Sequence, residues 1–561
     1  MLKQQPRYYL SRFWLAIALS SLIFLPYLSR YSEQINLLVF HWTQWDLLSL
    51  LSSIFLLGNL FFVGFLLLYV RGNTFTRKLC DIVYCAMCGL SIASFAFYYF
   101  KYFLNMQGIV IKKTSPWIYQ NMGSMLLISV GVLTVYVSLR ESKKIKERFM
   151  SLCFFFSFFL PIYIFTALQY PAFQPDAGSI PRLPEKGMPA GRPLHNVYIF
   201  VFDEWSYERS FSNQKLNDMF VHFNAFKEQS VVFHKAYSSG HYTLLSVPSI
   251  LYQTNFTLKF EKGKKLSFDT EDFLAFKQCE NIFKYPQEKG FFTCVIGNYL
   301  PYATLFGDNL DYAYSIGHGK LFGRDFISVV KAHLYGVALT LSFDLNNNWW
   351  EIIKGSVVNR FFVSTNRAIH ERVKTMLQTV HDPVYGFFHY AIPHPPFVYN
   401  RRGYFKPSKS DWLSEEGYNG NLAFLDETFG EIISLLKQRG TFDSSMIIVT
   451  SDHAWRFDSK LKNRKSDICH VPLFIKFPHQ NTSVDVTGRF FLFTLGPLVN
   501  RYLDRPFDYN EVNAILADQA FSVFKPKQGD ADGDGLCDFC DEEDNKAGSV
   551  DGDDFSTLVA R

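Results

Sequence analysis

The ten residues Ile447–Arg456, IIVTSDHAWR, decide how the rest of the chain is read. Ile447 to Ser451 make a short apolar run of the kind that forms a buried strand, and Asp452 and His453 follow without a spacer. Polar residues often mark only the point where a strand leaves the core, so an isolated Asp–His pair carries little by itself. A second stretch adds weight: HNVYIFVFDEWS (195–206) is another continuous apolar run, and it stops at Asp203 and Glu204. Strands that are apolar throughout belong to a sheet covered on both faces, hence to a mostly parallel α/β architecture. Ligands bind such sheets beyond the carboxyl ends of the strands. The two runs therefore predict carboxylates and an imidazole gathered at one edge.

The helix that leads into the first run is NLAFLDETFGEIISLLKQRG (421–440). Leu422, Leu425, Phe429, Ile432, Ile433 and Leu436 recur at helical spacing, and Gly440 follows near its end. A hydroxyl candidate lies in SSGHYTLLSVPSILYQ (238–253), where a polar loop delivers Thr243 to the start of a segment with helical character. A hydroxyl at a helix N-terminus faces unpaired N–H groups and the positive end of the dipole, which favour an alkoxide or a phosphate. Metal coordination is one way to activate such a poor nucleophile. Taken alone, Thr243 reads more readily as a helix cap than as a catalyst. FFHYAIPHPPF (387–397) places His389 and His394 in and after an apolar strand, in a proline-bracketed loop of the kind that carries function. His470, in ICHVPLFIKFP (468–478), is a weaker candidate of the same type.

The chain has 561 residues, enough for several domains, and a net charge of +5, too small for nucleic acid to be the main partner. Up to residue 170 it is dominated by apolar runs at about 13–28, 47–70, 82–104, 122–139 and 150–170. These approach or reach the ~20 residues that cross a bilayer. Basic residues cluster before the first run and after the second and fourth, Arg140 to Arg148 above all. The positive-inside rule then puts the N-terminus in the cytoplasm, and five crossings put everything after Tyr170 outside the cytoplasmic membrane. The expected organisation is a five-helix transmembrane domain (1–170), a proline-rich linker (171–194), an extracytoplasmic α/β domain (195–510) and an acidic tail (526–561).

In that tail Asp530, Asp532, Asp534, Asp538 and Asp541 stand at positions 1, 3, 5, 9 and 12 of a calcium loop, with Gly535 at the sharp turn. No helix pair flanks it, so it looks like a thrombospondin type 3 or dockerin loop; the alternative is a solvated acidic extension. Cys279, Cys294, Cys469, Cys537 and Cys540 fall on the outer side, where disulfides persist, and Cys279–Cys294 is a plausible bridge.

In their order, the strand NVYIFVFDE, the TLLSVP segment, the HYAIPH pair, the LDETFGEII helix and IIVTSDH resemble the alkaline phosphatase superfamily. The resemblance is to the branch that holds sulfatases, phosphoethanolamine transferases and lipoteichoic-acid (phosphoglycerol) synthases, over about His195 to Pro478. The resemblance implies an alkaline-phosphatase-like (sulfatase-like) fold with a mostly parallel sheet. It makes Asp203, Asp452 and His453 metal ligands, Thr243 the nucleophile on the same metal, and Glu204 a possible further ligand. His389 and His394 would contact the transferred group or a second metal. An O/N donor set with one histidine suits zinc, and carboxylate-rich variants take manganese or calcium.

Two departures narrow the chemistry. The aligned stretch Thr243–Val247 lacks the modifiable Cys or Ser, the proline and the arginine of the sulfatase C/S-x-P-x-R pattern. Ala454 replaces the glycine of SDHG. The expected activity is transfer or hydrolysis of a phosphoryl-linked group, such as lipid-derived phosphoethanolamine or phosphoglycerol, with a membrane lipid or cell-envelope glycan as substrate. The alternatives are a sulfuric ester hydrolase and a non-catalytic, calcium-binding surface protein.

Overall fold

The computed structural model describes residues 44–71 and a few short pieces of the N-terminal region. Beyond them it describes 195–253, 280–300, 302–316, 348–380, 383–404, 414–456 and 468–517. The chain divides into two compact units, the first built mainly from 1–174 and the second mainly from the residues that follow.

In the first unit, helix α1 (Gln44–Arg71) covers the second of the five expected spans. Among the described residues no helix is long and apolar enough to cross a membrane. The other four expected spans lie largely or wholly outside the described residues, as do the linker (171–194) and the calcium-loop tail (526–561).

The second unit holds a nine-stranded sheet. Its strands are β1 (Val197–Phe202), β2 (Val231–Tyr237), β3 (Phe292–Asn298), β4 (Tyr312–Ile316), β5 (Val384–Tyr390), β6 (Met446–Ser451), β7 (His470–Lys476), β8 (Val484–Val486) and β9 (Phe490–Phe491). They lie in the order β8-β2-β7-β6-β1-β5-β3-β4, with β9 also on β2. β7 alone runs against its neighbours. The parallel sheet expected from the apolar runs is present, and its centre is the two runs that predicted it. β1 lies between β6 and β5 with Phe202 opposite both Ser451 and Tyr390, and every residue of the three strands is buried.

Aromatic packing fills the core. Phe200 lies 5.0 Å from Phe388, and Phe223 of helix α2 (Val221–Lys227) stacks on Phe429 at 4.3 Å. Each fully buried phenylalanine contributes about 1.5–3 kcal/mol by leaving water. Helix α3 (Thr243–Tyr252) follows β2, and helix α4 (Asn348–Thr379) precedes β5. Helix α5 (Glu415–Gln438) begins seven residues before the apolar repeat that opens at Leu422, because Ser414 caps it by accepting from the Gly417 N–H at 3.0 Å. Gly440, at φ +70°, ends it in the left-handed conformation.

The Cys279–Cys294 bridge does not form. Cys294 is a free thiol on a central strand, fully buried among core side chains, and burial pushes its pKa up. Its side chain belongs to the core and has no surface partner to reach. Cys469, just before β7, is disulfide-bonded.

Candidate active site

The parallel strands end on one edge, and their last residues build the site. Asp203 and Glu204 leave β1, His389 is the penultimate residue of β5, and Asp452 and His453 leave β6. The in-register pairing of β1 with β5 and β6 sets these exits side by side. The Asp203 N–H donates to the Tyr390 carbonyl at 3.0 Å, and the His394 N–H donates to the Asp203 carbonyl at 3.0 Å. The loop carrying His394 is thereby tied to the end of β1.

Oxygen and nitrogen atoms of Asp203, His389 and Asp452 lie within 4.8 Å of one another. His453 Nε2 stands 3.7 Å from Asp203 Oδ1 and 3.5 Å from Asp452 Oδ2. Asp203 Oδ1, Asp452 Oδ2, His389 Nε2 and His453 Nε2 are all buried, and among the described residues none has a hydrogen-bond partner. Buried polar atoms are normally satisfied; the three mutually close orphans, with His453 Nε2 beside the two carboxylates, make the donor set of a divalent cation.

Both imidazoles are set up for it. His453 Nδ1 lies 2.9 Å from the Ala454 carbonyl, and His389 Nδ1 lies 3.1 Å from the Asn298 carbonyl and 2.8 Å from the Tyr302 hydroxyl. With the proton on Nδ1, each ring turns its Nε2 lone pair inward. Gly297, opposite His389 on β3, leaves room for this ring: a Cβ there would lie 2.9 Å from the His389 Cβ and 2.7 Å from the Tyr302 ring. The resemblance had given His389 to the transferred group or a second metal; the geometry sets it beside Asp203 and Asp452.

The charges fit a missing cation. Burial, then the charges of Asp452 and Glu204, raise the Asp203 carboxyl well above the usual carboxylate range. Burial also opposes ionisation of Asp452, but the imidazoles of His453 and His389 outweigh it and hold that carboxyl low. Burial lowers the pKa of His389 and His394, so the His389 ring gives up its proton to a metal more readily than a free imidazole does. A divalent ion at this point would keep both carboxylates ionised.

Thr243 is the first residue of α3, and the extended residue before it, Tyr242, occupies the cap position. Thr243 is therefore not the cap that its sequence context also allowed. Thr243 lies beside both Asp203 and Asp452, where its hydroxyl favours the ionised form of each carboxylate, and the residue is buried. The hydroxyl, the helix N-terminus and the donor set meet at one place.

Glu204 turns one carboxylate oxygen toward Arg456, and its Oε2 is buried with no hydrogen-bond partner among the described residues. Its Oε1 accepts from Arg456 Nε at 2.7 Å, its N–H donates to Asp452 Oδ1 at 3.2 Å, and its carbonyl accepts from the Tyr418 hydroxyl at 2.7 Å. Its φ of 67° is a strained value for a side-chain-bearing residue and is sustained by these three bonds. His394 Nε2 lies 3.3 Å from Arg456 Nη2 and 3.9 Å from Glu204 Oε1. His470 lies outside this group, bonded to Glu208 at 3.1 Å and to the His234 carbonyl at 3.0 Å.

Residues with no assigned role in the sequence reading also shape the site. Arg456 closes the quoted decapeptide, and its charge near two carboxylates was the available signal. Tyr302 and Gly297 back His389, and Asn421 of α5 holds the His394 loop; nothing local marks them. A second carboxylate cluster, His222, Asp426 and Glu427, has a structural explanation. Asp426 accepts from the N–H groups of Val221, His222 and Phe223 at 2.8–3.0 Å and so caps α2.

The family model described as Sulfatase matches residues 195–490. Comparison with curated proteins finds no match. Among solved structures the chain is similar to the phosphonate monoester hydrolase of Agrobacterium radiobacter (17% identity, TM-score 0.38, covering 56% of this chain and 74% of that one). It is also similar to the lipoteichoic acid synthase LtaP from Listeria monocytogenes (13%, 0.35, 56% and 72%). A third is the PsFucS1 sulfatase from Pseudoalteromonas sp. (12%, 0.40, 57% and 68%). These likenesses are too distant to carry an activity across.

Proposed function

The chain belongs to the sulfatase family, and on that premise we propose that it is a membrane-anchored, metal-dependent enzyme acting through Thr243. It transfers, or hydrolyses, a phosphoryl-linked group such as a lipid-derived phosphoethanolamine or phosphoglycerol. One observation carries this reading: the nucleophile position holds a threonine that begins a helix beside two strand-end carboxylates. An unmodified hydroxyl suits phosphoryl transfer.

Asp203, His389, Asp452 and His453 would hold a divalent ion, zinc by the donor set, which supplies charge stabilisation to the attacking and transferring oxygens. Thr243 Oγ forms the bond to phosphorus as the bond to the leaving oxygen breaks, and the threonine proton ends on that oxygen. An acceptor hydroxyl or water then takes the phosphoryl-linked group from Oγ, and its proton returns to Thr243. The N-terminal amides of α3 face the developing negative charge.

Two observations support a site outside the cytoplasmic membrane. Cys469 is disulfide-bonded, which suits an oxidising compartment. Exposed large apolar side chains, among them Phe55, Leu60, Val63 and Leu67 on α1, concentrate in the N-terminal region, where lipid would cover them. The test is Thr243→Ala in the full chain. Turnover of a lipid phosphodiester should vanish while bound metal is retained, Thr243→Ser should keep part of the activity, and intact-mass analysis of quenched parent enzyme should find Thr243 esterified by the transferred group, phosphoethanolamine or phosphoglycerol. Turnover by Thr243→Ala at the parent rate would overturn the reading.

A further inference from the structure

Most of the cluster is closed to solvent. The side chains of Asp452, His453 and Glu204 have no exposure, and Asp203 has 6%. Arg456 and His394 are its accessible members, at 22% and 25%. Arg456 is held from behind by Glu204, whose own backbone is tied to Asp452 and Tyr418. Its forward contact, Nη2 to His394 Nε2 at 3.3 Å, is long. An anionic oxygen is a stronger acceptor for a guanidinium than an imidazole nitrogen, and would replace it. The stretch after Thr243 lacks an arginine, so the loop after β6 is where the site acquires one.

Charge points the same way. Asp203, Asp452 and Glu204 set three carboxylates against one guanidinium, and a single divalent ion neutralises the remainder. A singly charged ester leaves one uncompensated negative charge in this closed region, and a doubly charged monoester leaves two. Uncompensated buried charge is costly.

We propose that Arg456, anchored by Glu204, receives a non-bridging oxygen of the substrate's tetrahedral group and makes this a site for singly charged esters. Phosphodiesters and sulfate monoesters share that charge state. The inference rests on the ester-transfer reading above and adds the residue that selects the ester.

The first assay compares full-length protein in detergent on bis(p-nitrophenyl) phosphate, p-nitrophenyl sulfate and p-nitrophenyl phosphate, the last doubly charged at mildly alkaline pH. At least one singly charged ester should exceed the doubly charged one in kcat/KM by about tenfold or more, and the two singly charged arms separate phosphorus from sulfur chemistry. Arg456→Ala should lower kcat/KM on the preferred ester by about 10- to 100-fold, the worth of one hydrogen bond to a charged group. Arg456→Lys should recover part of it, and metal content should be unchanged in both. A second measurement needs no turnover: calorimetric binding of dimethyl phosphate and of monomethyl phosphate to the Thr243→Ala chain. Dimethyl phosphate should bind more tightly, and adding Arg456→Ala should weaken it by about tenfold. If no ester is turned over but this binding pattern holds, the transfer reading fails and the role of Arg456 stands. Binding within about twofold after Arg456→Ala, or preference for the doubly charged ligand, would overturn the proposal. Loss of metal on Glu204→Gln would make Glu204 a ligand and overturn its part as the anchor.

Discussion

Replacing Asn421 by alanine should loosen the loop that carries His394, and the size of the effect follows from its bonds. Asn421 is fully buried on α5. Its Oδ1 accepts from the N–H groups of Val398 and Tyr399 at 3.1 and 3.0 Å. Its Nδ2 faces the carbonyls of Pro393, His394 and Pro396 at 3.2, 3.3 and 3.4 Å. One amide therefore pins both ends of the 393–399 loop to the helix. In Asn421→Ala two buried N–H groups lose their acceptor, at about 1–3 kcal/mol each, and three carbonyls that share two hydrogens lose less. The expected destabilisation is about 3–5 kcal/mol. A displacement of the His394 loop of about 1 Å would lower turnover by about 100-fold. Metal content should hold, because Asn421 touches none of the four converging atoms. Pulse proteolysis in urea reads the stability, and turnover with metal analysis on the same preparation reads the rest. A stability loss below about 1 kcal/mol with turnover intact would refute the reasoning, since buried amides without partners cannot be that cheap.

Asp452→Asn, His453→Ala and His389→Ala should each lose metal and activity together, as measured by elemental analysis of the purified chain, because each removes one of the converging donors. His394→Ala should lower turnover while metal content holds; equal metal loss would move His394 among the ligands. Deleting the chain from Gly529 onward should leave turnover intact, since the tail supplies none of the residues gathered at the sheet edge. Calcium should protect the intact tail from protease near Asp534, because five clustered carboxylates repel one another until a cation neutralises them. Equal digestion with and without calcium would make the tail a solvated acidic extension.

The sequence alone determined the parallel sheet and which of its strands carry the chemistry. β1 is six apolar residues without a break and β6 is four apolar residues before Thr450 and Ser451, and such runs are stable only when covered on both sides. Once they pair in register, Asp203 and Asp452 must leave the sheet at the same edge. The apolar spacing of α5 reports one buried face, and the structure buries Leu422, Leu425, Phe429, Ile432 and Leu436 as that spacing requires. Which partner each side chain takes was decided only by the tertiary structure. Glu204 reads as a ligand from its place beside Asp203, yet its carboxylate meets Arg456, 252 residues away. Tyr302 orients His389 across 87 residues, and Cys294, plausible as half of a bridge, points into the core of a central strand. Periodicity records whether a residue is buried because burial repeats along one element. It does not record what the residue is buried against, because that depends on strand order and on the path of the loops between strands.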